Sequence, residues 1–114
     1  MDAHEQQLRS LYAAFNDRDT ERVLAEMSDD VDWPNGWEGG RVLGREAVAA
    51  YWRRQWREID PRVEPVSITG NDDGSVSVDV HQTVRDLDGT VVSDGHVVHR
   101  YAFRDGLITR MDIE

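Results

Sequence analysis

The stretch of sequence that decides the fold is residues 76–101, VSVDVHQTVRDLDGTVVSDGHVVHRY. Valine alternates with polar residues on both sides of Asp88-Gly89, a dipeptide typical of a two-residue turn between antiparallel strands. If Leu87 pairs with Thr90 across this turn, every other pair in the two strands follows, because side chains repeat every two residues along a strand. The sequence therefore predicts a long β-hairpin with a defined register.

The predicted register gives this hairpin one mostly apolar face and one polar face. The apolar face pairs Val76 with Tyr101, Val78 with His99, Val80 with Val97 and Gln82 with Gly95. The polar face pairs His81 with His96. Since the apolar face should lie against helices, we expect His99 to point into the protein and the other two histidines to point away. No metal site is expected at that outer pair, because zinc usually takes three or four protein ligands.

Helical periodicity precedes the strands. An apolar stripe with helical spacing predicts a first helix, through Leu8, Leu11, Tyr12 and Phe15. Asp19 or Thr20 can cap a short second helix, and a short strand over residues 31–33 comes next. A third helix is predicted over residues 45–59. Three helices, with a strand between the second and the third, followed by antiparallel strands, indicate the α+β class.

The register of the last strand, residues 107–113, has two alternatives. A two-residue turn at Asp105-Gly106 would place Asp112 opposite His99 and create a His–Asp dyad. A three-residue turn with glycine at a bulge would instead place Met111 opposite His99. It would also turn three further side chains inward: Leu107, Thr109 and Ile113. We favour the second alternative, because it buries more apolar surface and the core face sets the register.

Composition limits the classes of function. A chain of 114 residues has room for one domain, residues 1–114, and its 39% hydrophobic and 32% charged residues are typical of a globular protein. The net charge of −10 disfavours nucleic acid and anionic membranes as partners. The absence of cysteine and lysine excludes thiolate, disulfide and Schiff-base chemistry. No apolar run could span a membrane and the start lacks signal-peptide features, so we expect a cytoplasmic protein.

Four segments resemble the nuclear transport factor 2-like superfamily, which includes ketosteroid isomerase and the SnoaL-like polyketide cyclases. They are residues 11–19 (LYAAFNDRD), 29–33 (DDVDW), 44–48 (GREAV) and 101–108 (YAFRDGLI). The resemblance covers nearly the whole chain. It implies a cone-shaped fold in which three N-terminal helices pack in a curved antiparallel β-sheet around an apolar pocket. It also implies a homodimer formed through the outer sheet face, and no cofactor.

The resemblance also implies positions for catalytic groups. The aspartate that acts as general base in the isomerases corresponds to Asn35, or to Asp32 if the loop shifts. Asparagine cannot accept a proton, so the isomerase mechanism is not supported. The acid of the isomerases corresponds to His99, and the tyrosine of their oxyanion hole corresponds to Leu11 or Tyr12.

His99 is the strongest catalytic candidate, because the ordinary pKa of an imidazole lies near neutrality. Asn35 and Asp112 complete the catalytic set, the latter if it lies opposite His99. The alternative role for His99 is that of a core residue bonded to a backbone carbonyl or to water. Heavy aromatic content predicts a pocket wall for a flat ligand. The predicted ligand-contacting residues are Tyr12, Phe15, Trp33, Trp52, Trp56, Val78, Val80, Gln82, Val97, Tyr101 and Met111.

Two functions are consistent with these residues. The first is a cofactor-independent enzyme that performs isomerase-, cyclase- or dehydratase-type acid–base chemistry on an apolar, carbonyl-bearing small molecule. In that case His99 moves a proton while Asn35, Gln82 or Tyr12 binds the developing oxyanion. The second is a non-catalytic binding or stabilising module with the same pocket. Catalysis requires a titratable group inside the cavity, whereas binding alone does not.

Overall fold

Three helices and six strands make up residues 3–114, the part of the chain that the computed structural model describes. The helices are α1 (Ala3–Asn16), α2 (Thr20–Leu24) and α3 (Arg45–Trp56). The strands are β1 (Met27–Pro34), β2 (Arg41–Leu43), β3 (Ile59–Gly70), β4 (Val76–Asp86), β5 (Val91–Arg104) and β6 (Leu107–Ile113). The predicted α+β class is confirmed. Helix α2 is only 5 residues long, however, and α3 follows the first two strands.

All six strands form one sheet in the order β2-β1-β6-β5-β4-β3. Neighbouring strands are antiparallel except β1 and β6, which pair in parallel. The sheet is therefore mixed, and the prediction of a purely antiparallel sheet was wrong. A hairpin turn fixes the relative direction of consecutive strands, whereas β1 and β6 are separated by most of the chain and no turn dictates theirs.

The hairpin of β4 and β5 has the predicted register. The observed pairs include Val78 opposite His99 and His81 opposite His96. His99 is buried, whereas His81 is half-buried and His96 is exposed. The alternation of valine along β4 and the requirement for a continuous core face thus determine which way the imidazole of residue 99 points.

The turn of this hairpin differs from the prediction. Three residues, 87–89, connect Asp86 to Thr90, and the backbone N–H of Asp86 donates to the carbonyl of Thr90 at 2.8 Å. Gly89 supplies the positive φ of 93° that such a turn requires. A bulge at Val92 compensates for the additional turn residue, so the pairs beyond it are the predicted ones.

The last strand combines features of both predicted alternatives. Asp105-Gly106 forms a two-residue turn with positive φ at both positions, as the first alternative requires. A bulge at Thr109 then shifts the pairing by one residue, so that Ile113 lies opposite His99. Both predicted partners of His99 on this strand were therefore wrong.

The bulge nevertheless gives the strand an apolar inner face, which was the physical reason for the favoured alternative. The bulge turns Met111 inward, and this residue is buried as predicted, whereas the two-residue turn before the bulge turns Ile108 inward and leaves Leu107 37% exposed. Asp112 pairs with Arg100 in register and shares the outer face with it. The predicted His–Asp dyad is therefore absent from the inner face.

Helices α1 and α3 cover the inner face of the sheet. The cluster of buried side chains that joins them includes Leu8, Leu11 and Tyr12 of α1, Val48, Tyr51 and Trp52 of α3, and Val78, Tyr101, Ile108 and Met111 of the sheet. The side chain of Asn16 ties the end of α1 to β3, since it accepts from the N–H of Val63 at 2.9 Å and donates to its carbonyl at 2.7 Å. Within residues 3–114, no helix is long and apolar enough to cross a membrane.

Candidate functional site

A cavity of about 280 Å³ lies between α1, α3 and the inner face of the sheet. Its lining is formed by Leu11, Tyr12, Phe15, Trp33, Pro34, Gly36, Tyr51, Trp52, Gln55, Pro61, Val63, Gln82, Val97, His99, Tyr101, Met111 and Ile113. The ring of Trp52 meets the ring of Trp33 edge-on at 5.7 Å and that of Phe15 edge-on at 5.3 Å. Such a wall offers both faces and edges of aromatic rings to a flat ligand.

A chain of hydrogen bonds ends in the wall of this cavity. The hydroxyl of Tyr101 donates to the hydroxyl of Tyr12 at 2.8 Å, and the hydroxyl of Tyr12 lies 2.9 Å from Nδ1 of His99. Tyr12 comes from α1, whereas the other two residues are alternate residues of β5 and therefore point to the same side. The packing of α1 on the sheet brings the three polar groups together.

The direction of this chain follows from the number of hydrogens available. Each tyrosine hydroxyl has one hydrogen, and Tyr101 has no exposed surface through which water could reach it. If Tyr101 donates to Tyr12, then the hydrogen of Tyr12 goes to Nδ1 of His99, and both buried O–H groups are satisfied. The reverse direction would leave the hydrogen of Tyr101 unpaired, which is costly in the interior. The proton of a neutral His99 therefore lies on Nε2.

Burial keeps the groups of this chain uncharged at neutral pH. It lowers the pKa of His99 from 6.5 to about 4. Burial also raises the pKa of Tyr101, and it raises the pKa of Tyr12 with a further contribution from the neighbouring Tyr101. No carboxylate or arginine from residues 3–114 lines the cavity. The site is thus a neutral, hydrogen-bonding wall in a protein whose net charge is −10.

Asp112 lies apart from His99. Its carboxylate is 2.8 Å from Nε of Arg110 and 3.1 Å from Nη1 of Arg41, in a charged network that also includes Asp32. The hydrogen bond from Arg110 is the main reason that the pKa of Asp112 is lowered. This carboxylate belongs to an ion-pair network on the outer face of the sheet and does not line the cavity.

Asn35 also lies outside the cavity lining, although Pro34 and Gly36 on either side of it line the cavity. Its Oδ1 accepts from the backbone N–H groups of Trp37 at 3.2 Å and Glu38 at 2.7 Å. Its Nδ2 donates to the Glu38 carboxylate at 3.0 Å. The side chain thus organises the turn after β1 and does not line the cavity that His99 lines.

The remaining predicted contacts divide into two groups. Tyr12, Phe15, Trp33, Trp52, Gln82, Val97, Tyr101 and Met111 line the cavity, whereas Trp56, Val78 and Val80 do not. Trp56 packs behind Trp52, with ring centroids 6.0 Å apart, and the guanidinium of Arg18 covers it at 4.9 Å. Val78 and Val80 are fully buried under the side chains that reach the cavity.

Several lining residues were missed, among them Tyr51, Gln55, Gly36 and Ile113. Tyr51 and Gln55 are four residues apart on α3, so helical spacing places them on one face and could have identified them. Ile113 was already on the inward face of the favoured register for the last strand, although it was not included among the ligand contacts. Gly36 had no comparable signal, because its position depends on how the loop after β1 approaches the end of β6.

Over the described residues, 3–114, the outer surface offers no comparable apolar cavity. A depression of about 700 Å³ surrounds Arg100, but this guanidinium is already paired with the carboxylate of Asp73 at 2.5 Å. The rings of His81 and His96 stack at 5.1 Å, and each is hydrogen-bonded to an aspartate. Among the side chains that the structure describes, no three or more histidines, aspartates or glutamates are placed to hold a metal ion.

Comparisons with known proteins agree with this architecture. A sequence model of the SnoaL-like domain matches residues 8–111. The structure is similar to that of TerC co-crystallized with polyporic acid, with 30% sequence identity, coverage of 96% of this chain and 88% of TerC, and a TM-score of 0.83. No match is found among curated protein sequences.

Two further solved structures are similar to this chain. An NTF2-like protein of unknown function from Burkholderia pseudomallei is 25% identical, with coverage of 100% of this chain and 91% of that one, and a TM-score of 0.87. A candidate polyketide cyclase from Xanthomonas campestris pv. campestris is also 25% identical, with coverage of 96% and 87% and a TM-score of 0.77.

Proposed function

The chain belongs to the SnoaL-like domain family, and on that premise we propose that it acts on a flat, apolar, carbonyl-bearing small molecule bound in the aromatic cavity. The chemistry is of the isomerase, cyclase or dehydratase type and requires no cofactor. The observation that carries the proposal is the buried hydrogen-bond chain from Tyr101 through Tyr12 to His99, which ends in the cavity wall.

The size and lining of the cavity support a ligand of two or three rings. A volume of about 280 Å³ corresponds to roughly nine water molecules at about 30 Å³ each. Trp33, Trp52 and Phe15 supply aromatic surface, and Gln82 and His99 supply polar groups that orient a ligand. The co-crystallization of the similar protein TerC with polyporic acid is consistent with a small organic ligand.

His99 acts in this proposal as a neutral hydrogen-bond donor. Its Nε2–H faces the carbonyl oxygen of the ligand and stabilises the negative charge that develops there during enolisation. The α-proton goes to a solvent water molecule, because no carboxylate from the described residues lines the cavity. The hydroxyl dipoles of Tyr101 and Tyr12 point in the same direction along the chain and strengthen this donor. The N–H of a neutral imidazole can polarise a carbonyl in this way without a change in its own charge. This role differs from the proton transfer expected from the sequence, because an imidazole with a pKa of about 4 is a weak base at neutral pH.

Binding without turnover is the second candidate, and one observation favours it. No carboxylate from the described residues lines the cavity, and a histidine with a pKa of about 4 is a weak base at neutral pH. Under this candidate the same donor orients a ligand that leaves unchanged.

Three tricyclic probes of nearly equal shape test the role of His99. 9-Fluorenone has a carbonyl acceptor, carbazole has an N–H donor, and fluorene has neither. We expect fluorenone to bind about tenfold more tightly than fluorene and carbazole, measured by quenching of tryptophan fluorescence. His99→Phe should abolish this preference, whereas His96→Phe on the outer face should preserve it. Equal affinities for the three probes in the unmodified protein would exclude the proposed donor.

Turnover is tested separately with 1-indanone, a ketone that can enolise. Exchange of its α-hydrogens in D2O, followed by NMR, should be faster with the unmodified protein than with His99→Phe. Binding of the ketone with exchange at the rate of buffer alone would select the second candidate.

We also propose that the protein forms a homodimer through the outer face of β4 and β5. Val98 lies on this face between the polar residues Asp79 and His96, and a mixed apolar and polar surface of this kind suits an interface. Sedimentation equilibrium at micromolar concentration should give twice the monomer mass of 13.1 kDa. A mass of one chain over that range would refute the dimer.

A further inference from the structure

We propose that Ile113, seated against Gly36, forms the rim of the cavity beside His99 and sets the size of the ligand that can enter. The inference rests on the proposed function for the chemistry of the ligand. The geometry of the rim is independent of it.

The position of Ile113 follows from the register of the last two strands. It is the cross-strand partner of His99, so the Cβ atoms of the two residues lie on the same face about 5 Å apart. Ile113 is 45% exposed, whereas Met111, the preceding inward residue of β6, is buried. Because Ile113 both lines the cavity and contacts solvent, it stands between the solvent and the imidazole.

The opposite side of this rim is Gly36. A Cβ atom at Gly36 would lie 3.1 Å from Cδ1 of Ile113, closer than an ordinary van der Waals contact. The φ angle of Gly36 is not in the positive range, so its backbone does not require glycine. The missing side chain at position 36 therefore makes room for Ile113.

The loop that carries Gly36 is held in place on both sides. The backbone N–H of Asn35 donates to the carbonyl of Gly40 at 3.0 Å, and the N–H of Gly39 donates to the carbonyl of Asn35 at 2.9 Å. Arg54 of α3 pairs with Glu38 at 3.1 Å. An added methyl group at position 36 should therefore displace the end of the Ile113 side chain rather than the loop. Both the methyl group and the displaced Cδ1 then narrow the entrance.

Three variants isolate this contact. Ile113→Val removes only Cδ1, Gly36→Ala adds only the opposing methyl group, and the double variant combines the two. Leu107→Ala on β6, whose side chain does not line the cavity, and Gly95→Ala, whose added Cβ meets nothing within 4 Å, are the matched controls. Every protein also carries Trp37→Phe, which removes the most exposed tryptophan and leaves those in and behind the cavity wall as reporters.

Entry into the cavity is measured first without any ligand, by acrylamide quenching of the remaining tryptophans. Ile113→Val should raise the quenching constant about twofold, and Gly36→Ala should lower it by a similar factor. In the double variant the constant should return close to that of the parent, because the removed Cδ1 makes room for the added methyl group. The two controls should leave it unchanged.

The second measurement uses three cyclic ketones of increasing width, 1-indanone, 9-fluorenone and 11H-benzo[b]fluoren-11-one. The ratio of the dissociation constants of the widest and the narrowest ketone is the readout, since it is insensitive to a general loss of stability. We expect Ile113→Val to shift this ratio about fivefold in favour of the wide ketone and Gly36→Ala to shift it about threefold the other way.

The two measurements separate the two proposals. If quenching changes as expected and no ketone binds any protein, the rim is supported and the proposed function fails. If the ketones bind but the selectivity ratio and the quenching constant are the same in the variants as in the controls, the rim is overturned and the proposed function stands. A double variant that stayed as easily quenched as Ile113→Val would also overturn the rim, because the methyl group at position 36 would then not fill the space that Cδ1 leaves.

Discussion

Replacing Trp52 by alanine is expected to lower the free energy of unfolding by about 3–5 kcal/mol. Trp52 is 3% exposed and belongs both to the core cluster and to the wall of the cavity. Its ring packs against Trp33, Phe15 and Trp56 with centroid distances of 5.3–6.0 Å. Removal of the indole loses these contacts and enlarges the existing cavity. The side chains around it are already packed, so they do not move in to fill the added volume.

Urea denaturation followed by circular dichroism measures this loss. Trp37→Ala is the matched control, because Trp37 is 37% exposed in the loop after β1 and does not line the cavity. The control should change the free energy of unfolding by less than about 1 kcal/mol. A similar loss of unfolding free energy for the two substitutions would show that Trp52 is not part of the core that forms the cavity wall.

The orientation of His99 was predictable from the sequence because it depends on a repeated pattern. Valine at positions 76, 78 and 80 marks the inner face of β4, and a slip of one residue would expose all three. The predicted pairs are observed even though the turn has one more residue than predicted. The bulge at Val92 offsets the register shift from that additional residue, because only one register places the valines of β4 in the core.

The partner of His99 on β6 was not predictable in the same way. No glycine or proline marks the bulge at Thr109, so local sequence rules could not place it. The parallel pairing of β1 with β6 was also not predictable, because these strands are far apart in the chain and no local turn sets their relative direction. The bulge decides that Ile113, and not the carboxylate of Asp112, lies opposite His99.

The candidate site was predicted as a set of residues but not as a network. Tyr12, His99 and Tyr101 were each expected to reach the cavity, yet the hydrogen bonds among them join residues 87 and 89 positions apart. Such bonds depend on the position of α1 along the sheet. That position is held by Asn16, whose side chain is hydrogen-bonded to the backbone of Val63. The role of Asn35 could have been predicted from the local sequence. Asparagine side chains commonly accept hydrogen bonds from backbone N–H groups two or three residues later.

Neutrality is the property that links the site to the rest of the molecule. The charges that give the protein its acidic character lie on the outer surface, where pairs such as Arg110 with Asp112 and Arg41 with Asp32 are partly exposed. The cavity receives none of them. Burial therefore lowers the pKa of His99 without competition from a neighbouring charge and keeps its imidazole uncharged at neutral pH.

The stability of the protein is expected to fall by about 3 kcal/mol as the pH is lowered from 6.5 to 4 because of His99 alone. Burial lowers the pKa of this histidine from 6.5 in the unfolded chain to about 4 in the folded protein. Between these pH values the unfolded state binds more protons than the folded state, so the free energy of unfolding rises with pH. The stability that the uncharged His99 contributes is therefore lost as the pH falls. Each pKa unit corresponds to about 1.4 kcal/mol, and about 2 kcal/mol should already be lost at pH 5.

The difference between the unmodified protein and His99→Gln isolates this contribution from that of the carboxylates. The side chain of glutamine can still accept a hydrogen bond from the hydroxyl of Tyr12 but does not titrate. The free energy of unfolding of the variant should therefore change little between pH 7 and pH 5. Urea denaturation at several pH values should therefore give two curves that converge as the pH falls. Parallel curves would mean that the imidazole titrates near its ordinary pKa in the folded protein, and the buried, neutral donor would have to be abandoned.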